Sequence, residues 1–331
     1  MRPFAYERPG SVDEAVRALG SGGAAIGLLA GGTCLLDLMK QDVLRPARVL
    51  DLNFAPDLKG LSITPAGALR IGAATTLAHL ARDARVEAGW PLLHEAIVDG
   101  LTPQLRNAAS VGGNIMQRPR CIYFREPGFA CNKRAPGTGC AAQAGVHYQH
   151  ALFGNAAGGS CIAVHPSDLC VALTALDAHV EVMGQGGRRT MPIAELHRLP
   201  GDDPTAETHL APGELIVAVE VPPQGGRGGA YVKGSEGFAL ASAAALLELR
   251  DGRIADARLV LGGVSGKPWR SGPGEAALAG RAAQAEAFAL AAQAAVGEAV
   301  TDGQTAFRVP MLRGLVVEAL ERALAGAEGR P

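Results

Sequence analysis

"LLAGGTCLLDLM", residues 28–39, is an apolar run that stops at two glycines and a threonine before a second apolar run begins. "AASVGGNIM", residues 108–116, repeats the design with an asparagine after its glycine pair. At such turns glycine lets backbone N–H groups point outward with no Cβ in the way. Several outward N–H groups form an anion-binding concavity, and a following helix adds its positive end. A phosphate or pyrophosphate is the natural guest. Neither stretch matches the G-x-G-x-x-G dinucleotide fingerprint or the G-x-x-x-x-G-K-[ST] loop. Two ordinary tight turns are the competing reading in a chain with 44 glycines among 331 residues.

Around these turns the first half alternates strands and helices. Residues 11–20 predict a helix with a Ser cap, an acidic first turn, and Ala15, Val16 and Leu19 on one face. Residues 25–33 predict a buried strand entering a turn, 48–53 a strand, and 68–82 a strand, turn and helix. A helix is expected over 91–100, a second starting near Pro166, and strands over 178–183 and 214–222. "PPQGGRGG" (222–229) reads as a linker. Beyond it, strands at 241–249 and 254–263 flank an Asp-Gly-Arg hairpin turn, and Ala-rich helices are expected over 274–299 and 310–325.

A net charge of −1 and 48% hydrophobic residues describe an ordinary globular chain without the basic excess of a nucleic-acid binder. No apolar run reaches membrane-span length, and no charged n-region precedes an apolar h-region. The expected compartment is the cytoplasm, with the periplasm open to a complex exported by a signal-bearing partner. In a reducing compartment clustered cysteines serve metals or redox chemistry more often than structural disulfides.

From 118 to 161 the periodicity vanishes, and such a length without structure inside a domain points to function or disorder. Cys121, Cys131, Cys140 and Cys161 fall in this segment, separated by nine, eight and twenty residues. Structural zinc normally shows a close cysteine pair, absent here. A [4Fe–4S] cluster needs four thiolates and tolerates wide spacing when a loop wraps it. Arg118, Arg120, Arg125, Lys133 and Arg134 stand against one acid, Glu126, so the loop carries charge to offset a cluster. A solvated basic loop with incidental thiols is the alternative. Cys34 and Cys170 read as small packing residues. His147 and His150 read as loop residues rather than ligands, and His165 as a turn residue or a cofactor contact. In "HPSD" (165–168), Asp168 either caps the next helix or accepts hydrogen bonds from sugar or ribityl hydroxyls.

In order and spacing, "LLAGGTCLLDLMK", "LRNAASVGGNI", "HPSDLCVALTALDA", "YVKGSEG" and "LGGVSGKPWR" resemble the FAD-binding medium subunit of the molybdenum hydroxylases, the xanthine dehydrogenase family. The 118–161 insertion is similar to the subset holding an additional [4Fe–4S] cluster: the three-subunit, periplasmic-type aldehyde oxidoreductases and, more distantly, the 4-hydroxybenzoyl-CoA reductases. The resemblance implies an α+β fold: a vanillyl-alcohol-oxidase (PCMH)-type FAD domain over residues 1–224, then a small C-terminal α/β domain of the CO dehydrogenase flavoprotein type over 225–331. It implies FAD contacts at Leu28, Leu29, Ala30, Gly31, Gly32, Thr33, Cys34 and Leu35, with Thr75 nearby. A second set follows at Ala109, Ser110, Gly112, Gly113 and Asn114, and a third at Ile162, His165, Asp168 and Lys233. Cys34 departs from many relatives, so contacts there are not carried over with the loop. Cys121, Cys131, Cys140 and Cys161 are implied as cluster ligands.

The implied partners are a molybdenum-cofactor large subunit, a [2Fe–2S] small subunit and an external electron acceptor, with no nucleic acid and no membrane insertion. No residue of this chain is expected to be catalytic toward the organic substrate, because electrons reach FAD from the partners and leave to the acceptor. The competing readings are a xanthine dehydrogenase-like or 4-hydroxybenzoyl-CoA reductase-like subunit, a stand-alone flavin oxidoreductase, and a non-redox nucleotide or phosphosugar binder.

Overall fold

Parallel strands need a crossover between them, and the helix Val12–Gly20 supplies one, turning Val12, Ala15 and Val16 inward. It joins β1 (Ala5–Glu7) to β2 (Ile26–Leu29), which with β3 (Arg48–Asp51) makes a parallel sheet in the order β1-β3-β2. The computed structural model describes residues 1–20, 26–235 and 237–329. Ala25, the expected first residue of β2, and Glu236 of "YVKGSEG" lie outside the described residues.

A second sheet is antiparallel. Its strands β4 (Leu61–Ile63), β5 (Leu69–Gly72), β6 (His179–Gly184), β7 (Gly187–Pro192) and β8 (Leu215–Val221) run in the order β4-β5-β8-β6-β7. Its core includes the helix Asp168–Ala175, all eight residues of which are buried. A helix apolar all round belongs in an interior, and Ser167 caps it by accepting from the Cys170 N–H at 3.0 Å.

The third sheet, β9 (Gly228–Lys233), β10 (Ser242–Arg250), β11 (Arg253–Gly262) and β12 (Trp269–Arg270), is antiparallel in the order β12-β11-β10-β9. The β10–β11 turn is Asp251-Gly252 with φ of 51° and 71°, the left-handed pair that a tight hairpin requires. Side chains alternate across a strand. Tyr231, Ala244, Leu246 and Val260 therefore join the core of the second sheet. Ala230, Val232, Ala243, Ala245, Leu259 and Leu261 face the helices Ala285–Ala295 and Arg308–Ala327. This double-sided sheet welds the two halves into continuous packing. Where β11 meets the buried helix the approach is close: a Cβ on Gly262 would lie 2.5 Å from Val171 Cγ2.

The expected helix over 274–299 is two helices, Gly272–Leu278 and Ala285–Ala295. Composition favours helix throughout, but Gly280 takes φ of 70° and the chain between them pairs with Ile254 instead. Tertiary hydrogen bonds outweigh local propensity there. Among the described residues no helix is long and apolar enough to cross a membrane.

The 118–161 insertion contains only the one-turn helices Ile122–Arg125 and Ala141–Ala144. Arg134 holds it together internally, donating to the carbonyls of Tyr123, Phe124, Pro127 and Phe129. Arg308, fully buried at the start of the long C-terminal helix, holds it to the rest. Its guanidinium donates to the carbonyls of Tyr148, His150, Leu240 and Gly263, and burial lowers its pKa to about 10.

Arg308→Met is expected to strand these buried carbonyls and lower the unfolding free energy by about 2 kcal/mol or more. Denaturant unfolding measures the loss, and amide exchange should rise first around 145–153. A second tie, His147 Nε2 to the Asp302 carboxylate at 2.5 Å, titrates. The carboxylate raises the imidazole pKa, and the contact holds Asp302 down to about 2. Its contribution is complete between the unfolded carboxylate and imidazole values, about 4 and 6.5. It fades as pH rises through the folded His147 value or falls toward that of Asp302. Asp302→Asn should return the His147 titration, followed by NMR, to about 6.5.

Candidate functional site

The two glycine pairs lie back to back. A Cβ on Gly31 would fall 1.8 Å from the Ala108 carbonyl oxygen, so only glycine permits this contact, and Gly32 turns with φ of 72°. The loops nevertheless differ in one decisive respect. In the second, the Val111 and Gly112 N–H groups donate to the Thr75 and Ala73 carbonyls at 2.9 and 2.8 Å. The Gly113 N–H donates to Ser110 Oγ, and the Asn114 N–H to the Ser110 carbonyl. In the first, the backbone amides of Ala30 through Leu35 find no acceptor among the described residues. Partly buried N–H groups require partners, and consecutive outward amides form an anion cradle. The first loop is thus an open donor array and the second its buttress.

Thr33, Cys34, Ala109, Gly113, Asn114 and Asp168 line a cavity of about 260 Å³ beside this array. Gln117 also borders a second cavity, of about 330 Å³, lined among others by Ile115, Arg118, His165, His197 and Leu210. The short helix Val111–Ile115 separates the two, with Asn114 on one side and Ile115 on the other. Each cavity alone is near the lower limit for a small-molecule site, and together they suit an elongated ligand.

Asp168 is almost fully buried at the end of the first cavity. Tyr231 donates its hydroxyl to Asp168 Oδ1 at 2.5 Å, and Lys233 Nζ lies 2.9 Å from Oδ2. Burial raises the carboxyl pKa against the opposing pull of Lys233. We take the pair as charged, because ammonium and phenol supply the donors a buried carboxylate needs. The helix cap is Ser167, so Asp168 is free to face the cavity.

The four insertion cysteines converge. Cys121, Cys131, Cys140 and Cys161 line one small cavity of about 10 Å³ with Tyr123 and Phe124, and all are free thiols. Burial pushes the Cys121 thiol up to about 11 and raises that of Cys161. His150 Nε2 lies 3.2 Å from Cys121 Sγ. The basic residues of the insertion are less free than composition implies. Lys133 pairs with Glu207 at 2.9 Å, Arg118 also pairs with Glu207, and Arg125 pairs with Asp37. Those acids come from outside the insertion, so the count of one opposing acid misjudged its charge balance.

Other residues named from the sequence lie apart from the first cavity. Leu28 and Leu29 belong to β2, and Leu35 packs on Gly27. Thr75 exchanges hydrogen bonds with the Gly60 backbone. Ile162 packs with Tyr123 and Ala142 inside the insertion. His165 lies against His197, with ring centroids 4.1 Å apart. Sequence reasoning missed Arg308, His197 and Glu207. None stands in a motif, and their partners are 45 to 160 residues distant or supplied by other loops.

The model of the FAD-binding domain in molybdopterin dehydrogenase matches residues 2–224, and that of the CO dehydrogenase flavoprotein C-terminal domain matches 232–323. The chain is similar to the aldehyde oxidoreductase FAD-binding subunit of Escherichia coli, 44% identical over 82% of this chain and 84% of that one. It is 30% identical to the carbon monoxide dehydrogenase medium chain of Hydrogenophaga pseudoflava over 97% of both. A solved carbon monoxide dehydrogenase chain of that organism superposes with a TM-score of 0.77, covering 98% of this chain and 99% of that one at 28% identity. Matches spanning all three sheets and the donor loop establish that this chain is an oxidoreductase subunit, belonging to the FAD-binding medium subunits of the molybdenum hydroxylase family.

Proposed function

We propose that this chain is the electron-transfer subunit of a molybdenum aldehyde oxidoreductase, holding FAD and a [4Fe–4S] cluster and serving a large molybdenum subunit and a small [2Fe–2S] subunit. The observation that carries the reading is the adjacency of two unlike sites: a run of unpartnered amides opening on a dinucleotide-sized cavity pair, and four converging thiols, of which Cys161 lines both its own cavity and the larger of the pair. The 44% identity to an aldehyde oxidoreductase subunit supports the aldehyde class.

The amides of Ala30 to Leu35 would hold the diphosphate, an assignment that fits their lack of other acceptors among the described residues. Asp168, held by Tyr231 and Lys233, presents a fixed acceptor for ribityl or ribose hydroxyls. Asn114 is oriented by the Ser167 hydroxyl, which donates to its Oδ1 at 2.6 Å. When bound, FAD supplies a carrier that takes electrons singly and releases them in pairs.

Cys121, Cys131, Cys140 and Cys161 would ligate the cluster. Among the described residues no three of these thiols meet the 4.8 Å spacing of a single-ion set. Wider spacing suits a multi-iron cluster, although the small cavity means that the insertion must draw outward around it. The Ala163 N–H donates to Cys161 Sγ at 3.5 Å, and His150 sits at Cys121; contacts of this kind tune a bound cluster.

Two variants check the assignments. In wild type, iron analysis should give about four irons per chain. Cys131→Ser should lose most of that iron while retaining flavin absorbance, and unchanged iron would remove Cys131 from the ligand set. Asp168→Ala, followed by FAD titration of the apoprotein, should weaken binding about tenfold or more with the fold intact by circular dichroism.

A further inference from the structure

We propose that His165, Cys170 and His197 form a second metal site, distinct from the insertion cysteines, which binds one soft ion of the zinc(II) or copper(I) class. The three residues come from separate segments: the connection after the insertion, the first turn of the buried helix, and the loop after the helix Ile193–Leu196. Their ligand atoms lie within 4.8 Å of one another, and all three residues are buried. They are the one group of three or more such side chains with this spacing among the described residues.

Two observations point to a ligand rather than to packing. His165 Nε2 and His197 Nδ1 are sealed from solvent and have no hydrogen-bond partner among the described residues. Leaving a buried polar atom unpaired is costly, and native interiors rarely do so; here two such atoms stand together beside a thiol. The other nitrogen of His197 is already committed, with Nε2 lying 2.9 Å from the Ile115 carbonyl oxygen. A metal-ligating histidine typically donates its second N–H to a carbonyl in this way, which fixes the ring and frees the first nitrogen for the ion.

Both imidazoles are held neutral, since burial lowers the pKa of each: that of His197 falls to about 4, and that of His165 well below the ordinary value. Neutral imidazole is the ligating form. The remaining donor, Cys170, loses its proton to solvent on binding, and the ion's charge drives that loss although burial places the thiol near 12. Two nitrogens and one thiolate suit zinc or copper(I) and disfavour the hard oxygen-seeking cations. His165 and His197 also line the larger cavity, so the ion would stiffen one wall of it.

The test uses the whole purified chain. Metal analysis should find about one zinc or copper per chain beyond the iron, and the absorption edge of that metal should report nitrogen and sulfur donors together. Cys170→Ser should lose that metal while keeping iron and flavin. Cys131→Ser should keep it while losing iron, which separates this site from the cluster. Cobalt(II) added to the chelator-treated protein should give a thiolate charge-transfer band in wild type that is weaker in Cys170→Ser and unchanged in its share from this site in Cys131→Ser. The proposal is overturned if wild type carries no such metal and takes up none of zinc, copper or cobalt, or if Cys170→Ser binds as wild type does.

Discussion

Among the described residues the guanidinium of Arg308 has no carboxylate to satisfy it, and the meeting of three parts of the chain depends on that fact. It can remain buried because four backbone carbonyls turn toward it: two from the insertion, one from the segment before β10 and one from the end of β11. Carbonyls of irregular backbone are themselves expensive to bury unpaired. Each side of the contact therefore meets the other's requirement. The insertion has almost no secondary structure of its own, and this clasp fixes its far end while Arg134 fixes its near end. The convergence of the four cysteines follows from those two anchors.

The candidate flavin site obeys a different economy. Its second glycine loop consumes its own amides, and its first leaves them open. Glycine at position 31 is needed less for conformational freedom than for closeness, because any side chain would enter the Ala108 carbonyl. The rigid loop supports the open one, and Asp168 closes the cavity from a helix that β10 and β11 hold in place. The C-terminal sheet thus contributes to the site through Tyr231 and Lys233, adjacent-but-one residues on β9 whose side chains both reach Asp168.

Much of this was legible from local pattern. The strands at 48–51, 215–221 and 242–262, the buried helix after "HPSD" and the left-handed Asp251-Gly252 turn follow from apolar periodicity and turn chemistry, which act over a few residues. The break at 279–284 did not, because alanine-rich composition favours helix and only pairing with Ile254 prevents it. The charge balance of the insertion was misjudged for the same reason: Asp37 and Glu207, the acids that neutralise it, are remote in sequence.

By itself the sequence determined the classes of element, the two glycine turns, the four insertion cysteines and, through their joint order, the family. Those properties reside in residue identity and short spacing. Tertiary structure alone decided which glycine loop keeps its amides free, which acids face the basic insertion, and that His165 lies with Cys170 and His197 rather than beside Asp168. Hydrogen-bond satisfaction and burial depend on everything that surrounds an atom in space, and most of those neighbours are far away along the chain.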